Sequence, residues 1–578
     1  MSDQRNFILA IALSIIVLVG WDFFFAPDAP EPSSGDTAES VLAPEANLPA
    51  APNDSGAPVA APSEPVEPQP PRIAPISESA RIRISTQHLH GSISTQGARF
   101  DDVTLATYRE TLDPSSDEIV LLSPAGTPSA YFAETGWVSS DSSVALPNSS
   151  TVWTSENPKA VLTETSPVVL SWDNGQGLIF SRTIRADDEY LFTVEHSVRN
   201  EGDRQVTLYP YSLVARINEP ETLGFFILHE GPLGVFDDTL TEMDYEDLRD
   251  TGRETAESTG GWIGFTDKYW LTTVAFEQDV PVTATFSHSR SGDNERFQTD
   301  LRADAVAVAP GESRSVTSYV FAGAKELALL DSYADNPGFS RFDLAIDFGW
   351  FYFLTRPFFL GLRWLNGLLG NYGVAIIVFT ALLRLVIFPI ANKQYTAMNK
   401  MKQLQPEMKR LQDKHKDDRM KLQQEMMDLY KREKANPLTG CLPILIQIPI
   451  FFALYKVLFV SIEMRHAPFF GWVQDLSAPD PTSVLNLFGL LPFTPPEYLA
   501  FISIGAWPLL MGVFMYLQQK LAPQPPDPTQ AKIMMLLPIV FTFVSAQFPA
   551  GLVIYWAWTT LLGILQQWVL MRRAGIKP

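Results

Sequence analysis

Five apolar runs crowd the C-terminal part of this 578-residue chain: Tyr372–Ile390, Leu442–Val460, Tyr498–Leu517, Ile533–Gln547 and Leu552–Leu570. Each is near the ~20 residues that carry a helix across a hydrocarbon core of roughly 30 Å. In lipid a backbone must satisfy its own polar groups, so such runs fold as helices. A sixth run, Phe7–Phe25, follows Arg5. A cleaved leader has a shorter apolar stretch and ends in small residues. Here Trp21 and Phe23–Phe25 occupy that place, which points to an uncleaved anchor over 1–25.

Charge divides the chain further. Residues 26–343 hold 20 Lys+Arg against 50 Asp+Glu, and the remainder 23 against 15, within an overall net charge of −22. An acidic half joined to a basic, apolar half implies two environments and argues against a general nucleic-acid binder. Cys441 is the single cysteine, so an intrachain disulfide and a cysteine-built zinc site are both excluded.

Residues 26–76 hold 13 prolines and almost no large apolar side chains, and read as a disordered tether. From 77 to 333 the texture turns to short alternating runs, among them Arg81–Ser85, Phe192–Val198, Val206–Leu208 and Val282–Phe286. Glycine, Asn and Asp clusters separate them, the pattern of an antiparallel β-sandwich, with Ala324–Tyr333 as a closing helix. Residues 344–370 are apolar but interrupted by Arg356-Pro357 and Arg363, which suits a helix lying in the membrane interface. Val484–Pro492 reads as an interfacial or re-entrant insertion, and Phe548-Pro549-Ala550-Gly551 as a hairpin turn between the last two spans.

Orientation follows from flanking charge. The segment 391–440 carries 12 Lys+Arg, and Arg572, Arg573 and Lys577 close the short tail 572–578. The opposite loop, 462–497, has one Arg and four acids. The expected protein is therefore a six-span polytopic α-helical membrane protein, with 371–390 as the second span and 441–571 holding spans three to six. Both termini face the cytoplasm and a large acidic β-sandwich stands outside, in the periplasm of a bacterium.

Three features could carry function. In 391–440, Met398, Met401, Leu404, Met408 and Leu411 step by three and four; beyond Asp413–Asp418, Leu422, Met426 and Leu429 do the same. That predicts two amphipathic helices folded as an antiparallel hairpin with a Met-rich seam. Periodicity alone leaves a plain spacer, a lipid-binding surface and a docking arm equally open. Arg384 lies inside a span, where a charge costs roughly 2.5–3.5 kcal/mol. Thr380 shares its face and Gln447 stands at similar depth. Arg384 either snorkels to the headgroups or lines a wetted cavity open to the cytoplasm. Lys456, near the outer end of its span, reads as an interfacial anchor. In the last hairpin, Thr542, Ser545, Tyr555, Trp556, Trp558, Thr559 and Thr560 read as packing residues and an aromatic belt.

Catalytic patterns are missing: no Walker A, HExxH or GxSxG occurs, and His88 and His90 have no further ligand in pattern. The reading is of a non-enzyme without cofactor or metal. A solute transporter or channel with a periplasmic accessory domain is the main alternative. It would call for inverted repeats and paired intramembrane charges. An anchored carbohydrate-processing enzyme would need one span, not six.

Several segments, in this order and spacing, resemble the YidC/Oxa1/Alb3 family of membrane protein insertases. They are Gln4-Arg5-Asn6, Asp347-Phe348-Gly349-Trp350, Gln394-Tyr395-Thr396-Ala397-Met398, Leu404-Gln405-Pro406 and Gln424-Glu425-Met426-Met427-Asp428-Leu429-Tyr430. Asn436-Pro437-Leu438-Thr439-Gly440-Cys441-Leu442-Pro443, Gln447-Ile448-Pro449-Ile450-Phe451 and Phe548-Pro549-Ala550-Gly551-Leu552 complete the set. The resemblance implies a five-helix core around a hydrophilic groove open to cytoplasm and lipid, and a supersandwich outer domain. It puts the groove arginine at Arg384, its polar partner at Thr380 and an aromatic slide near Tyr555 and Trp556. It also implies nascent and small membrane proteins as substrates, Sec translocon components as partners, and ribosome or targeting factors at the hairpin. Tyr555-Trp556 departs from the family's frequent paired tyrosines, and residues 484–504 look like extra length.

Overall fold

The computed structural model describes residues 81–124, 127–157, 159–222, 228–415, 418–433, 442–491, 502–522 and 528–573. The expected anchor 1–25, the tether 26–76, Cys441 and residues 574–578 lie outside them.

The alternating runs form two stacked sheets. Along the larger sheet the strands run Arg253–Thr259, Pro281–Ser291, Asn294–Ala303, Val206–Ile217, Tyr131–Val138, Phe100–Arg109, Leu89–Ser94, Arg81–Ser85 and Val161–Leu162. The smaller runs Thr239–Glu242, Gly231–Phe236, Trp262–Thr266, Trp270–Phe276, Ser313–Ala324, Leu191–Asn200, Leu178–Ala186, Val168–Asp173 and Thr154–Ser155. Arg81–Ser85 pairs in parallel with Val161–Leu162. Period-two patterning sets the faces: in Leu178–Ala186 every second residue is buried, from Leu178 through Phe180, Arg182 and Ile184 to Ala186. Aromatic side chains bridge the layers, with Phe100 of the larger sheet 5.0 Å from Phe192 of the smaller and Tyr131 6.1 Å from Phe265.

The helices, in chain order among the described residues, are α1 Tyr245–Thr251, α2 Leu327–Asp335, α3 Tyr352–Leu369, α4 Tyr372–Lys414, α5 Arg419–Arg432, α6 Leu442–Val460, α7 Ala506–Leu521, α8 Pro528–Ser545 and α9 Ala550–Arg573. Here α2 is the expected closing helix. Two of them, α4 and α9, are long and apolar enough to cross a bilayer, and α6 and α8 contain shorter apolar stretches. Leu385 and Val386 of α4 are largely exposed, as are Ile533, Leu536 and Ile539 of α8. Apolar surface of that extent suits an apolar partner, and the length and composition of α4 and α9 match a bilayer core.

Three boundaries differ from the sequence reading. The span expected to end at Ile390 and the hairpin arm expected from 391 are one helix of 43 residues, running through Pro389 and Pro406. Polarity changes at Asn392 and Lys393, but these residues extend a helix as readily as apolar ones do, so the boundary leaves no mark on the backbone. The fourth apolar run is helical from Ala506, not Tyr498: residues 503–505 are non-helical, and 492–501 lie outside the described residues. Gly505 stands at the helix entry without a side chain to cap it. Thr482 Oγ1 accepts from the Ala506 amide at 2.9 Å and Asp480 Oδ2 from the Trp507 amide at 2.8 Å, so capping comes from the preceding loop. The last helix starts at Ala550, where carbonyls of Ala478 and Leu476 accept its first amides.

The helical and sheet parts are joined by ion pairs. Lys456 is not a headgroup anchor: it pairs with Asp347, which also accepts from the His229 amide of the sheet domain. Low exposure of both side chains places the pair inside the junction, because the chain turns back there and brings a carboxylate within reach. Gly349 takes a left-handed φ of 66°, and a Cβ there would stand 2.9 Å from Lys456 Cε. Arg356 pairs with Asp331 of α2 at 2.9 Å, and α3 passes through Pro357 without interruption. Lys268 stacks 4.0 Å above Phe459 of α6.

Candidate functional site

The site grows from the spacing of one helix. Tyr555, Thr559, Gly563 and Gln567 recur every four residues along α9 and so share a face. Each faces a neighbour through polar chemistry. Tyr555 Oη accepts from Gln447 Nε2 of α6 at 3.2 Å. The Thr559 carbonyl accepts from Arg384 Nη2 of α4 at 2.8 Å. Gln567 Nε2 donates to the Leu521 carbonyl of α7 at 2.9 Å. At Gly563 there is no side chain, and three polar groups close on the gap. A Cβ there would stand 3.1 Å from Tyr395 Oη, 3.2 Å from Gln518 Nε2 and 3.3 Å from Arg384 Nη2.

This polar seam lies between helices whose other faces are apolar. Gln566 Nε2 donates to Asn392 Oδ1 at 3.0 Å, extending it toward the hairpin. Arg384 is half-buried and Tyr395 buried. The arrangement can hold a cation and several amide donors within an apolar bundle, a chemistry suited to attracting polar or acidic chain.

Of the five residues singled out from sequence, Arg384, Gln447 and Tyr555 lie along this seam, while Thr380 and Trp556 make their contacts elsewhere. Arg384 is held by the Thr559 carbonyl. Thr380 sits one turn before it, buried, and its hydroxyl donates to Ile376 of its own helix at 2.6 Å. Gln447 and Tyr555 make a second contact one turn along α9 from Thr559. Trp556, one residue on and thus about 100° around the helix, leaves the seam. Its ring packs 5.0 Å from Phe451 and 5.3 Å from Phe541.

Tyr395, Gln518, Gly563, Asn392, Gln566 and Gln567 were missed. The adjacent amides Gln566-Gln567 and Gln518-Gln519 in apolar helices were the available signal, because an amide in hydrocarbon needs a partner. The four-residue stripe on α9 was another.

The two hairpin arms pack through an apolar cluster. Leu404, Met408 and Leu429 are buried together, with Met401, Leu411, Met426 and Tyr430 packed around them. Asp418 caps α5 through the Lys421 amide, and Arg432 pairs with Glu407 at 2.7 Å across the two arms. His88 and His90 do not converge: they lie beside Glu189 and Glu118 respectively.

At the junction, burial pushes the amine of Lys325, bonded to Thr266 Oγ1 at 2.8 Å, down to about 8. Burial does the same to Lys268.

A strand-rich domain ion-paired to lipid-facing helices around a polar seam defines an integral membrane protein with a large soluble domain. A family model described as the YidC periplasmic domain matches residues 81–360, and one described as 60Kd inner membrane protein matches 364–577. A membrane protein insertase YidC of Methylorubrum extorquens is 48% identical, over all of this chain and 96% of its own length. One from Rhizobium meliloti is also 48% identical, over all of this chain and 97% of its own. A crystal structure of an active YidC insertase with its first transmembrane domain resolved aligns at 16% identity and a TM-score of 0.34, covering 84% of this chain and 94% of that one. The chain belongs to the YidC family of inner-membrane insertases.

Proposed function

We propose that the protein inserts membrane proteins into the bacterial inner membrane, and assists their folding, through the seam at Arg384. The observation that carries this reading is the convergence of Arg384, Tyr395 and Gln518 on Gly563 between lipid-facing helices. A polar substrate segment enters the seam from the hairpin side, and its apolar segment passes between helices into lipid. Burial of a helix of ~20 apolar residues drives the process, so no nucleotide is required. The loop from 462 to 491 supports closure of the far end, since it ties down three helices. Asn371 at the start of α4 donates to Pro468 and Phe469 carbonyls, and the same loop caps α7 and α9.

The chain spans the membrane six times with both termini cytoplasmic and the sandwich periplasmic. Trp556, with Phe451 and Phe541, offers an aromatic flank beside the seam. The Met-lined hairpin receives ribosome-bound chains or targeting factors, and the sandwich meets Sec components. A photocrosslinker at position 384 tests the central point. It should capture a ribosome-bound membrane protein during insertion, while one at Val386, on the exposed side of α4, should capture lipid. Equal capture of substrate from both positions, or from neither, would remove the seam from the path.

A further inference from the structure

We propose that the loop around Leu490 is a wedge seated among the acyl chains of the outer leaflet, beside the end of α7. The proposal rests on the reading that the helices span a bilayer. Residues 481–491 contain no charge. The loop is closed on itself: the Phe488 amide donates to the Ser483 carbonyl at 2.7 Å and the Leu491 amide to the Asn486 carbonyl at 3.0 Å. It is fastened to the entry of α7 by the Val484 amide on the Ile504 carbonyl at 2.9 Å and by Ser503 on Ser483 at 2.8 Å. Leu487 and Phe488 both hold left-handed φ values, 53° and 59°, which side chains rarely adopt. The result is that Leu487, Phe488, Leu490 and Leu491 all point outward, Leu490 being 83% exposed. A fold that strains its backbone to display four large apolar side chains needs an apolar surrounding.

Helix length identifies that surrounding. From Ala506 to Leu517, before Gln518-Gln519-Lys520, α7 has an apolar length of about 18 Å at 1.5 Å per residue. The hydrocarbon core is about 30 Å thick. The loop, attached where α7 begins, adds apolar depth on that side of the helix and reduces the mismatch. Phe470 and Trp472, both exposed, lie in the preceding loop, which contacts the same helix entry through Asp480. A ring with a polar edge suits the headgroup boundary.

Full-length protein with Cys441→Ser, reconstituted in phosphatidylethanolamine–phosphatidylglycerol vesicles, can carry a nitroxide at Leu490→Cys. Companion labels go at Leu487→Cys, Val386→Cys and Gln474→Cys. Power saturation with oxygen and with a water-soluble nickel chelate then reads the surroundings. The expected result is oxygen accessibility above nickel accessibility at 490, 487 and 386, with the order reversed at 474. Nickel-accessible 490 and 487 with an oxygen-accessible 386 would overturn the wedge and leave the spans intact. Nickel access at 386 as well would overturn the spanning reading itself. Low access of both reagents at 490 would mean a protein covers the loop, and spin–spin broadening there would mean a second copy does; either result overturns the proposal.

Discussion

Arg384 of α4 donates to the main-chain carbonyl of Thr559 on α9 at 2.8 Å, joining positions 175 residues apart. In a helix that carbonyl already accepts the amide four residues on, which is Gly563. A second donor reaches it because Gly563 presents no side chain there. The guanidinium is thus held by protein rather than released to headgroups, and it retains donors for other partners.

The charge at position 384 should matter in proportion to the charge of the substrate. Arg384→Lys keeps most activity. Arg384→Ala lowers the insertion rate of substrates with acidic outer segments by about tenfold, equivalent to ~1.4 kcal/mol. Arg384→Glu is worse for them. Insertion assays with acidic, neutral and basic segments check this, and an equal effect on all three would remove the electrostatic role.

Gly563→Val should mimic loss of Arg384. Its side chain would occupy the point on which Arg384, Tyr395 and Gln518 converge, within 3.3 Å of each. Combined with Arg384→Ala the effects should be non-additive, because both remove the same contact. Insertion rates of the two single variants and the double variant decide it.

Met408→Asp should unfold the hairpin. The side chain is buried between Leu404, Leu429 and Tyr430, and an unpaired carboxylate there costs about 2–4 kcal/mol. Faster proteolysis between the two arms, with α4 to Ile390 still membrane-protected, is the expected outcome. Normal insertion by a variant with an unfolded hairpin would make the arm a spacer.

Asp347→Ala should destabilise more than Lys456→Met. The first change takes an acceptor from three donors at once, the Lys456 ammonium and the amides of His229 and Gly349, at a cost of about 1–3 kcal/mol. The second leaves Asp347 with the amides of His229 at 3.2 Å and Gly349 at 3.0 Å. Thermal unfolding in detergent should rank wild type first, Lys456→Met second and Asp347→Ala last.

Lys325 gives the sheet domain a pH dependence of definite sign. Its folded value, about 8, lies below the unfolded 10.5, so the folded state binds fewer protons between them. Stability therefore rises with pH from about 8 toward 10.5, by up to about 3 kcal/mol, while the cost of the buried charge is fully present below 8. Lys325→Met should flatten that part of the profile, measured by chemical unfolding from pH 7 to 10.

Apolar runs, charge asymmetry and period-two strands determined by themselves that this chain would be a helical membrane protein carrying a β-sandwich. The same patterning put Met401, Met408 and Met426 on apolar helix faces, and these side chains share one cluster. Burial patterns are local, and a chain of this polarity has few other ways to hide its apolar atoms. The sequence alone could flag Arg384 as costly but could not name its partner. The partner is a backbone carbonyl, which has no residue identity, exposed by a glycine that carries no chemical signature. Likewise Lys456 looked like an anchor because its carboxylate stands more than a hundred positions away. Tyr555 and Trp556 are neighbours in sequence, yet helix rotation sends one into the polar seam and the other into an aromatic cluster. Which face meets which helix is a property of packing, and the tertiary structure alone decided it.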